Sequence, residues 1–332
     1  MSEKFTDSQI SEIVEAASAA PSVHNSQPWQ FEAAGGELRL HGVPERALRV
    51  ADPEGRALYV SCGAALFNAR LAARIAGLET DVSLLPHPDY PLDVLAVLRV
   101  RARRVPTAPE RSLYESIWRR HTSRRPYSSR QIPRVLMAGL QKSAEAEDAR
   151  LRLLDRRDTS SVLGLAARAG QELAASPAHQ GELSRWIGDG GVDGIPSWAL
   201  PGRPQHKPSP VRDGDFLAVG RPVSGTRAAY ERNPHLTVLT TEHDEPEDWL
   251  RAGQALQHVL LVATLNGLSA SFLYQLIERD DMREGAERSW PWPEHLQMII
   301  RFGYSQEVLP TPRRSPAEVM APTADIRLTW PA

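Results

Sequence analysis

The 332-residue chain has one cysteine, Cys62, and this scarcity excludes an intrachain disulfide framework. It has no apolar run near the roughly 18–20 residues that a membrane-spanning helix needs. Its first residues, "MSEKFTDSQI", lack both the apolar core of a signal peptide and an arginine-rich transit pattern. The formal net charge of −2 gives no general attraction to nucleic acid. We therefore expect a soluble cytoplasmic protein that binds neither membranes nor nucleic acids.

Lysine is also scarce, since only Lys4, Lys142 and Lys207 occur among 39 basic residues. Coding bias explains such a skew, but the chemical consequence holds whatever its origin. Any anion site must be built mainly from guanidinium groups, which bind phosphate oxygens in pairs. The sequence also lacks a G-x-G-x-x-G fingerprint, so a dinucleotide bound in a Rossmann unit is not expected.

Two segments of the chain resemble each other at a constant offset of 190 residues. "CGAALFNARLAARIAGLETDVSLL" begins at Cys62 and "AGQALQHVLLVATLNGLSASFLYQ" begins at Ala252, so that Gly63 matches Gly253. Each segment is mostly apolar and carries a glycine stop, which predicts a buried helix followed by a strand. Buried helices also converge on Ala, Leu and Gly without duplication, and that explanation stays open.

Further elements fit a repeated unit. "LAVLRVRAR" (95–103) and "LQMIIRFGY" (296–304) are rich in branched residues and predict strands. Asp7 can cap a helix through Ala19, and Pro133 can open a helix through about Glu145. Residues 151–154 predict a short strand. We predict an α+β unit repeated twice, with buried helices meeting at a pseudo-twofold interface.

A segment with different composition interrupts the second unit. Of the 27 residues from Gly188 to Gly214, 11 are Gly or Pro, which excludes regular helix or strand. Long connections of this kind are functional covers or disordered segments. The apolar residues Ile195, Trp198 and Leu200 favour docking over disorder, so we interpret residues 188–214 as a lid.

Three stiff polar stretches carry the candidate chemistry. "APSVHNSQPW" (20–29) places hydrogen-bonding side chains between two prolines, as either a helix stop or a rigid cradle for a polar ligand. "RRHTSRRPY" (119–127) flanks two hydroxyls with arginines, and "PTPRRS" (310–315) sets two more arginines between prolines. Clusters of this type bind phosphate or form a solvated charged face.

These stretches resemble a known family. "APSVHNSQPWQF" is similar to the Pro-Ser-x-x-Asn-x-Gln-Pro-Trp segment of FMN-dependent nitroreductases, and "RRHTSRRPY" and "TPRRS" are similar to that family's phosphate-binding segments. "GLSASFLYQ" (267–275) resembles the strand that places a backbone amide beside flavin N5. The order is closest to the fused, Acg-type branch. The resemblance implies tandem nitroreductase-like units, 1–110 and 111–332, that form an intramolecular pseudo-dimer with the lid inserted in the second.

The resemblance also implies roles for individual residues. Pro21 would fix the bend, while Ser22 and Asn25 would hydrogen-bond the pyrimidine edge of FMN. The remaining contacts would be Arg120, Thr122, Ser123 and Arg124 to the phosphate, Arg313 or Arg314 adding charge, and Leu273, Tyr274 and Gln275 near N5. NAD(P)H is the implied reductant and an organic molecule the acceptor. The flavin itself performs the redox step.

The sequence departs from the family pattern in informative places. Residues 1–12 contain no arginine, and "KSAEAEDAR" (142–150) stands where the second unit would repeat the Pro-Ser-x-x-Asn loop. One of two pseudo-symmetric sites is therefore expected to be degenerate, which predicts one FMN per chain and binding by a monomer, with a homodimer still possible. The family's lysine near the pyrimidine has no obvious counterpart here.

Other constellations are weaker. Ser22 and His24 lack an orienting carboxylate for a hydrolytic triad, and "EHDEPED" (242–248) is better explained as negative charge before a helix than as a metal site. Cys62 lies in an apolar helix pattern and is expected to be inert. Three functions remain open from sequence: a nitroreductase-type oxidoreductase, a protein that stores or sequesters FMN, and a flavin-dependent biosynthetic dehydrogenase.

Overall fold

Two four-stranded antiparallel sheets carry the fold in the computed structural model, which describes residues 4–87, 94–188, 191–200, 230–231, 233–305 and 309–321. The first half contains α1 (Asp7–Ser18), β1 (Trp29–Ala34), β2 (Glu37–Gly42), α2 (Arg56–Ile75), β3 (Leu78–Leu84) and β4 (Ala96–Arg103). α3 (Ala108–Arg119) leads into the second half. The second half contains α4 (Arg134–Glu145), β5 (Arg150–Leu153), α5 (Arg156–Ala174), α6 (Pro177–Arg185), β6 (His235–Thr241), α7 (Pro246–Leu265), β7 (Ser269–Phe272), α8 (Asp280–Ser289), β8 (His295–Gly303) and α9 (Pro316–Val319).

The two sheets share one topology. The first has the strand order β1-β2-β4-β3 and the second has the order β5-β6-β8-β7, and every neighbouring pair is antiparallel. α1 and α4 are both 12 residues long, and α2 and α7 are both 20 residues long. The α+β class predicted from the sequence is confirmed.

α2 and α7 form the most extensive contact between helices in the described chain. They meet at Gly63 and Gly253, where a Cβ on Gly63 would collide with Leu250 O and a Cβ on Gly253 would collide with Val60 O. Only the absence of side chains lets the two backbones approach this closely. The clash partners are themselves 190 residues apart, so the contact is reciprocal.

Side chains farther along the two helices repeat this reciprocity. Gln257 Nε2 donates to Asn68 Oδ1 at 2.8 Å, and the ring of Phe67 stacks on His258 at 4.8 Å between centroids. Position 257 is 190 residues beyond 67, and 258 is 190 beyond 68. Each polar or aromatic pair therefore has its counterpart across the helix interface, as a local twofold relation requires.

The sequence predicted the helices better than their caps. α1 begins at Asp7, but Thr6 is its cap: Gln9 N donates to Thr6 Oγ1 at 3.3 Å and Thr6 N donates to Gln9 Oε1 at 3.0 Å. This reciprocal capping box satisfies two end groups, which a single aspartate would not. The assignment of the cap to Asp7 was therefore wrong by one position. Pro133 is the N-cap of α4 and lies just outside the helix.

The halves differ most in one connection. β1 and β2 are joined by a tight turn in which Gly35 and Gly36 have φ of 62° and 89°, a backbone that suits glycine. β5 and β6 are instead separated by residues 154–234, which include α5, α6 and residues 191–200, here called the strap. Ile195, Ala199 and Leu200 of the strap are buried against the end of α6.

The chain returns to the first half after β8. Ala321 N donates to Phe31 O at 2.7 Å, and Met320 forms a parallel bridge with Phe31 in β1. This return brings Arg313 and Arg314 to the loop between α1 and β1. None of the described helices is long and apolar enough to cross a lipid bilayer.

Candidate functional site

The loop at residues 20–29 has a strained and fixed backbone. His24, Asn25 and Gln27 have positive φ angles of 48°, 57° and 49°, a region that costs residues with side chains roughly 1–2 kcal/mol each. Bonds within the loop hold this shape, since Gln27 N donates to Ser22 Oγ at 2.9 Å and Asn25 N donates to Ser22 O at 3.1 Å. The loop is a rigid wall and more than a helix stop.

The Asn25 amide faces the supporting side of this loop. Its Nδ2 donates to Gly194 O at 2.9 Å and Pro312 O at 3.1 Å, and its Oδ1 accepts from Arg313 Nη1 at 2.6 Å. These bonds join the loop to the strap and to the returning chain. The predicted contact of Asn25 with a flavin stays a prediction, because the described hydrogen bonds of the amide serve the protein.

Asp193 of the strap is the second anchor of the loop. Arg314 grips its carboxylate at two points, 2.9 and 2.6 Å, and Arg46 Nη2 lies 2.5 Å from Oδ1. Gln27 Nε2 donates to Asp193 Oδ1 at 3.2 Å. Arg314 was predicted as an alternative phosphate contact, but the structure neutralises its charge with Asp193. Arg313 is left as the cation that the returning chain adds to the site.

The arginine segment that follows α3 runs beside β7 as an extended chain. Ser123 N donates to Ala270 O at 2.9 Å, and Thr122 forms a parallel bridge with Ala270. Successive side chains of an extended chain point to opposite sides. Thr122 and Arg124 line one cavity, whereas Ser123 Oγ donates to Ser305 Oγ at 3.2 Å on the other side.

Positive charge accumulates where this segment meets the loop. Arg120 is buried and donates from Nη2 to Ala19 O at 3.2 Å, while its Nε has no hydrogen-bond partner in the described part of the chain. Burial first, and then the nearby charge of Arg313, lowers the pKa of Arg120 to about 9. Burial and the charge of Arg124 lower the pKa of Arg313 to about 10. The three guanidinium groups repel one another, as in an anion site without its anion.

The segment after β7 closes another side of the cavity. Leu273 packs in the core and its N–H donates to Ile299 O at 3.1 Å, whereas Tyr274 and Gln275 line the cavity. Gln275 is buried, and its Oε1 has no hydrogen-bond partner among the described residues. A buried amide oxygen normally has a donor, so this atom is available to a ligand.

The cavity itself encloses about 800 Å³, including its open mouth. Its walls come from the loop, α2, the arginine segment, α7 and the strand ends of the second sheet. Most of the surface is apolar, and polar groups enter at a few points. The residues that line it are Pro21, Ser22, Val23, His24, Ala57, Val60, Ser61, Thr122, Arg124, Leu256, Phe272, Tyr274, Gln275, Glu278 and Met298.

Two titratable residues at this cavity were given little or no weight by sequence reasoning. His24 lines the wall, and desolvation together with the charge of Arg124 and of nearby His179 lowers its pKa to about 3. Glu278 lines the same cavity, with His179 Nδ1 3.8 Å from its Oε2. His24 had a local signal as the central residue of the loop. Glu278 and His179 had none, since only the fold brings them together.

The structure therefore brings together Pro21, Ser22, Thr122, Arg124, Tyr274 and Gln275 around one cavity, with Arg120 and Arg313 beside it. It directs Asn25, Ser123, Leu273 and Arg314 to supporting contacts. In the described residues no group of three or more His, Cys, Asp or Glu side chains could hold a metal ion. Cys62 is buried in α2, and burial raises the pKa of its thiol.

Comparison with known proteins identifies similar chains. The model of the Nitroreductase family matches residues 1–52, which include α1 and the loop at 20–29. "Putative NAD(P)H nitroreductase Rv3131" of Mycobacterium tuberculosis is 30% identical over 330 residues, covering 96% of this chain and 93% of that protein. "Putative NAD(P)H nitroreductase acg" of the same organism is 28% identical over 314 residues, covering 94% and 93%.

Solved structures give a more distant similarity. The "FMN and NADPH-dependent nitroreductase NfnB" from a Sphigopyxis strain is 15% identical, with a TM-score of 0.39 over 65% of this chain and 99% of that one. A nitroreductase with bound FMN from Bacteroides fragilis is 16% identical, with a TM-score of 0.37 over 65% of this chain and 98% of that one.

Proposed function

The chain belongs to the nitroreductase family, and from this premise we propose that it is an FMN-dependent oxidoreductase that passes a hydride from NAD(P)H to an organic acceptor. One observation carries the proposal. The rigid loop of the first half, the arginine segment of the second half and the segment after β7 converge on a single, mostly apolar cavity. This combination of apolar walls and clustered cations suits a planar ring that carries a phosphate.

The phosphate end fits the cationic cluster. Arg120, Arg124 and Arg313 lie close enough to affect one another's pKa or that of their neighbours, and the buried Arg120 Nε lacks a partner in the described chain. A phosphate dianion would offset this repulsion and accept charge-assisted hydrogen bonds. Thr122 has a hydroxyl on the same face. These residues would hold the phosphate.

The ring end fits the rest of the cavity. Pro21 and Ser22 supply a wall whose position is fixed by the strained loop, and Gln275 Oε1 is a buried acceptor without a described donor. A flavin ring offers an imide N–H and two carbonyl groups, which need partners once they leave water. When bound, FMN would supply the redox chemistry, accepting a hydride and releasing electrons to the acceptor.

We further propose that residues 1–110 and 111–332 are two nitroreductase-like units that form a pseudo-dimer within one chain. The shared strand order of the two sheets and the reciprocal contact of α2 with α7 support this division. Each half supplies parts of the cavity that the other lacks. A single chain is then sufficient for one FMN, and a homodimer is not required for binding.

A second candidate function is the storage of FMN without turnover, and the strap favours it. Three residues of the strap are bonded to Asn25, Gln27, Arg46 or Arg314, so the loop and the strap would have to separate for the strap to move. The proposed lid spans residues 188–214, but residues 189–190 and 201–214 lie outside the described residues. The part that is described braces the loop from outside the cavity.

Purified protein mixed with NADH or NADPH without oxygen tests the two functions. Bleaching of the flavin absorbance, followed by recovery when a quinone is added, is expected of the oxidoreductase. Flavin that stays oxidised with both nucleotides but is held at one per chain favours storage. Flavin released by denaturation and compared with the protein concentration gives the stoichiometry, and two FMN per chain would contradict the single site.

A further inference from the structure

A carboxyl group stands in the wall of the cavity where the binding of FMN does not require one. The side chain of Glu278 is 1% exposed and lines the cavity beside apolar residues such as Val60, Phe272 and Met298. Removing a carboxylate from water into such a wall is costly unless the group is paired or protonated. A buried acid at this place therefore points to a chemical role.

A histidine lies behind this carboxyl group. His179 Nδ1 is 3.8 Å from Glu278 Oε2, and the His179 side chain is 3% exposed. Within the described part of the chain, neither of its ring nitrogens has a hydrogen-bond partner. His179 belongs to α6, in the long connection that the first half lacks. Burial lowers the pKa of His179, so a neutral ring is present that can take a proton on one nitrogen and release one from the other.

We propose that Glu278 is the proton donor for the acceptor reduced in this cavity and that His179 is its positioning residue. The inference rests on the proposed oxidoreductase function. Reduction of a conjugated carbonyl acceptor such as a quinone takes up two electrons as a hydride, which reduced FMN supplies, and one proton. The O–H bond of the Glu278 carboxyl breaks as an O–H bond forms on the acceptor oxygen. A proton from solvent, passed by the His179 ring, restores the carboxyl group.

The other titratable residues that line the cavity are poorer donors at neutral pH. The pKa of His24 is about 3, so its ring carries no spare proton. Burial, together with the nearby charges of Asp52 and Glu278, raises the pKa of Tyr274 well above its ordinary value. Arg124 is a permanent cation. A general acid works best when its pKa is near the working pH, which a carboxyl in an apolar wall can approach. The charged and titratable groups around the pair are His24, Asp52, Arg56, Arg124, Tyr274 and Glu182.

The first test uses the FMN-loaded protein, reduced without oxygen and mixed rapidly with a benzoquinone over a range of pH. Glu278→Gln is expected to slow acceptor reduction on the order of 100-fold and to remove the pH dependence and the solvent deuterium effect of that step. Glu278→Asp should restore part of the rate. His179→Gln should keep a measurable rate with a displaced pH profile.

Asp52→Asn is the matched control, because Asp52 is a buried carboxyl near Tyr274 that does not line the cavity. Its quinone-reduction rate at neutral pH should match that of the wild-type protein. If Glu278→Gln and Glu278→Asp both keep the wild-type rate and pH profile, the proton donor is not Glu278. A slower Glu278→Gln variant with an unchanged pH profile and solvent isotope effect would mean a packing role and would also overturn the proposal.

The second test does not depend on turnover. In oxidised, FMN-loaded protein with ¹⁵N-labelled histidine, the ring signals of His179 are assigned by their loss in His179→Gln. Glu278→Gln should shift their titration, whereas Asp52→Asn should not. Ring signals of His179 that titrate identically in wild-type protein and Glu278→Gln would refute the pairing, even if acceptor reduction is observed. Wild-type protein that reduces no acceptor would contradict the proposed function, and with it the proton step.

Discussion

Two clefts flank the crossing of α2 and α7, and their linings correspond at an offset of 190 residues. The candidate cavity is lined by Ala57 and Ser61 of α2, and the second cleft is lined by their counterparts in α7, Glu247 and Arg251. Phe272 and Tyr274 line the cavity, where Val82 and Leu84 line the cleft. The same backbone positions thus carry small and aromatic side chains in one place and charged and aliphatic side chains in the other.

Charge balance separates the two clefts more sharply than shape does. In the second cleft, Arg70 Nη1 lies 2.6 Å from Glu147, and Arg251 Nη2 lies 2.5 Å from Glu247. Its cations are thus paired with carboxylates of the protein itself. In the candidate site Arg120 and Arg313 have only cations among the charges that shift their pKa. An unneutralised cluster can bind an anion at little cost, whereas a paired one must first break its own ion pairs.

The largest expected effect removes this contrast from the candidate site. Arg120→Ala combined with Arg124→Ala should weaken FMN binding by roughly 3–6 kcal/mol, since each charge-assisted hydrogen bond contributes about 1.5–3 kcal/mol. Isothermal titration of the FMN-free protein measures the loss. Arg251→Ala in the second cleft is the control and should leave FMN affinity unchanged. A double variant that purifies as yellow as the wild-type protein would refute the phosphate assignment.

The next effect breaks the relation between the halves. Gly253→Ala places a Cβ against Val60 O of α2, and backbone atoms have little freedom to move aside. We expect destabilisation of about 3 kcal/mol, the upper range of overpacking, measured by urea denaturation. Gly139→Ala in α4 is the control, because nothing lies within 4 Å of its added Cβ. That variant should be more stable by about 0.5–1 kcal/mol, and equal effects from both would deny a special role to the crossing.

A pH-dependent effect distinguishes the chain segments before the two helices. Burial raises the pKa of Asp52, before α2, to about 7 from 3.8. Burial would also raise the pKa of Asp244, before α7, but hydrogen bonds from Arg56, Gln297 and Trp249 outweigh it and lower that pKa. A raised pKa in the folded state means that stability is highest below 3.8 and falls as pH rises through about 7.

Asp52→Asn should therefore match the wild-type protein near pH 4 and exceed its stability above pH 7. The shift corresponds to about 4 kcal/mol, and an amide N–H left without a buried partner offsets roughly 2 kcal/mol of it. We expect a net gain of about 2 kcal/mol, measured as the difference in urea midpoints at the two pH values. A gain of the same size at both would show that the carboxyl is not titrating. Asp244 should behave oppositely, contributing stability that is lost as pH falls below its ordinary value.

The smallest effect concerns the strap, which only the second half has. Asp193→Asn keeps the size of the side chain but weakens its ion pairs with Arg46 and Arg314, which are partly exposed. We expect less than about 1 kcal/mol of global stability to be lost, as for other partly exposed pairs. Limited proteolysis within the strap should nevertheless accelerate. Cleavage at the wild-type rate would mean that Asn25 and Gln27 alone hold the strap.

Sequence patterns predicted the repeated helices because a buried helix must be apolar along its length. They could not predict the crossing at Gly63 and Gly253, where the reason for glycine is the backbone of another segment. The loop at 20–29 was visible from its prolines and amides. Its shape was not, because Asn25 and Gln27 bond to residues about 165 positions away. Glu278 and His179 were missed for the same reason, since neither has a local pattern.

The return of the chain to β1 has a consequence for biosynthesis. A ribosome makes the polypeptide from its N-terminus, so both sheets and the rigid loop emerge before residues 313–321. Until then Asn25 lacks the partner at Arg313, β1 lacks its bridge to Met320, and the phosphate-binding cluster lacks one of its cations. Tight capture of FMN must follow the emergence of this last segment. A nascent chain stalled before Arg313 would carry the cavity but hold the cofactor weakly.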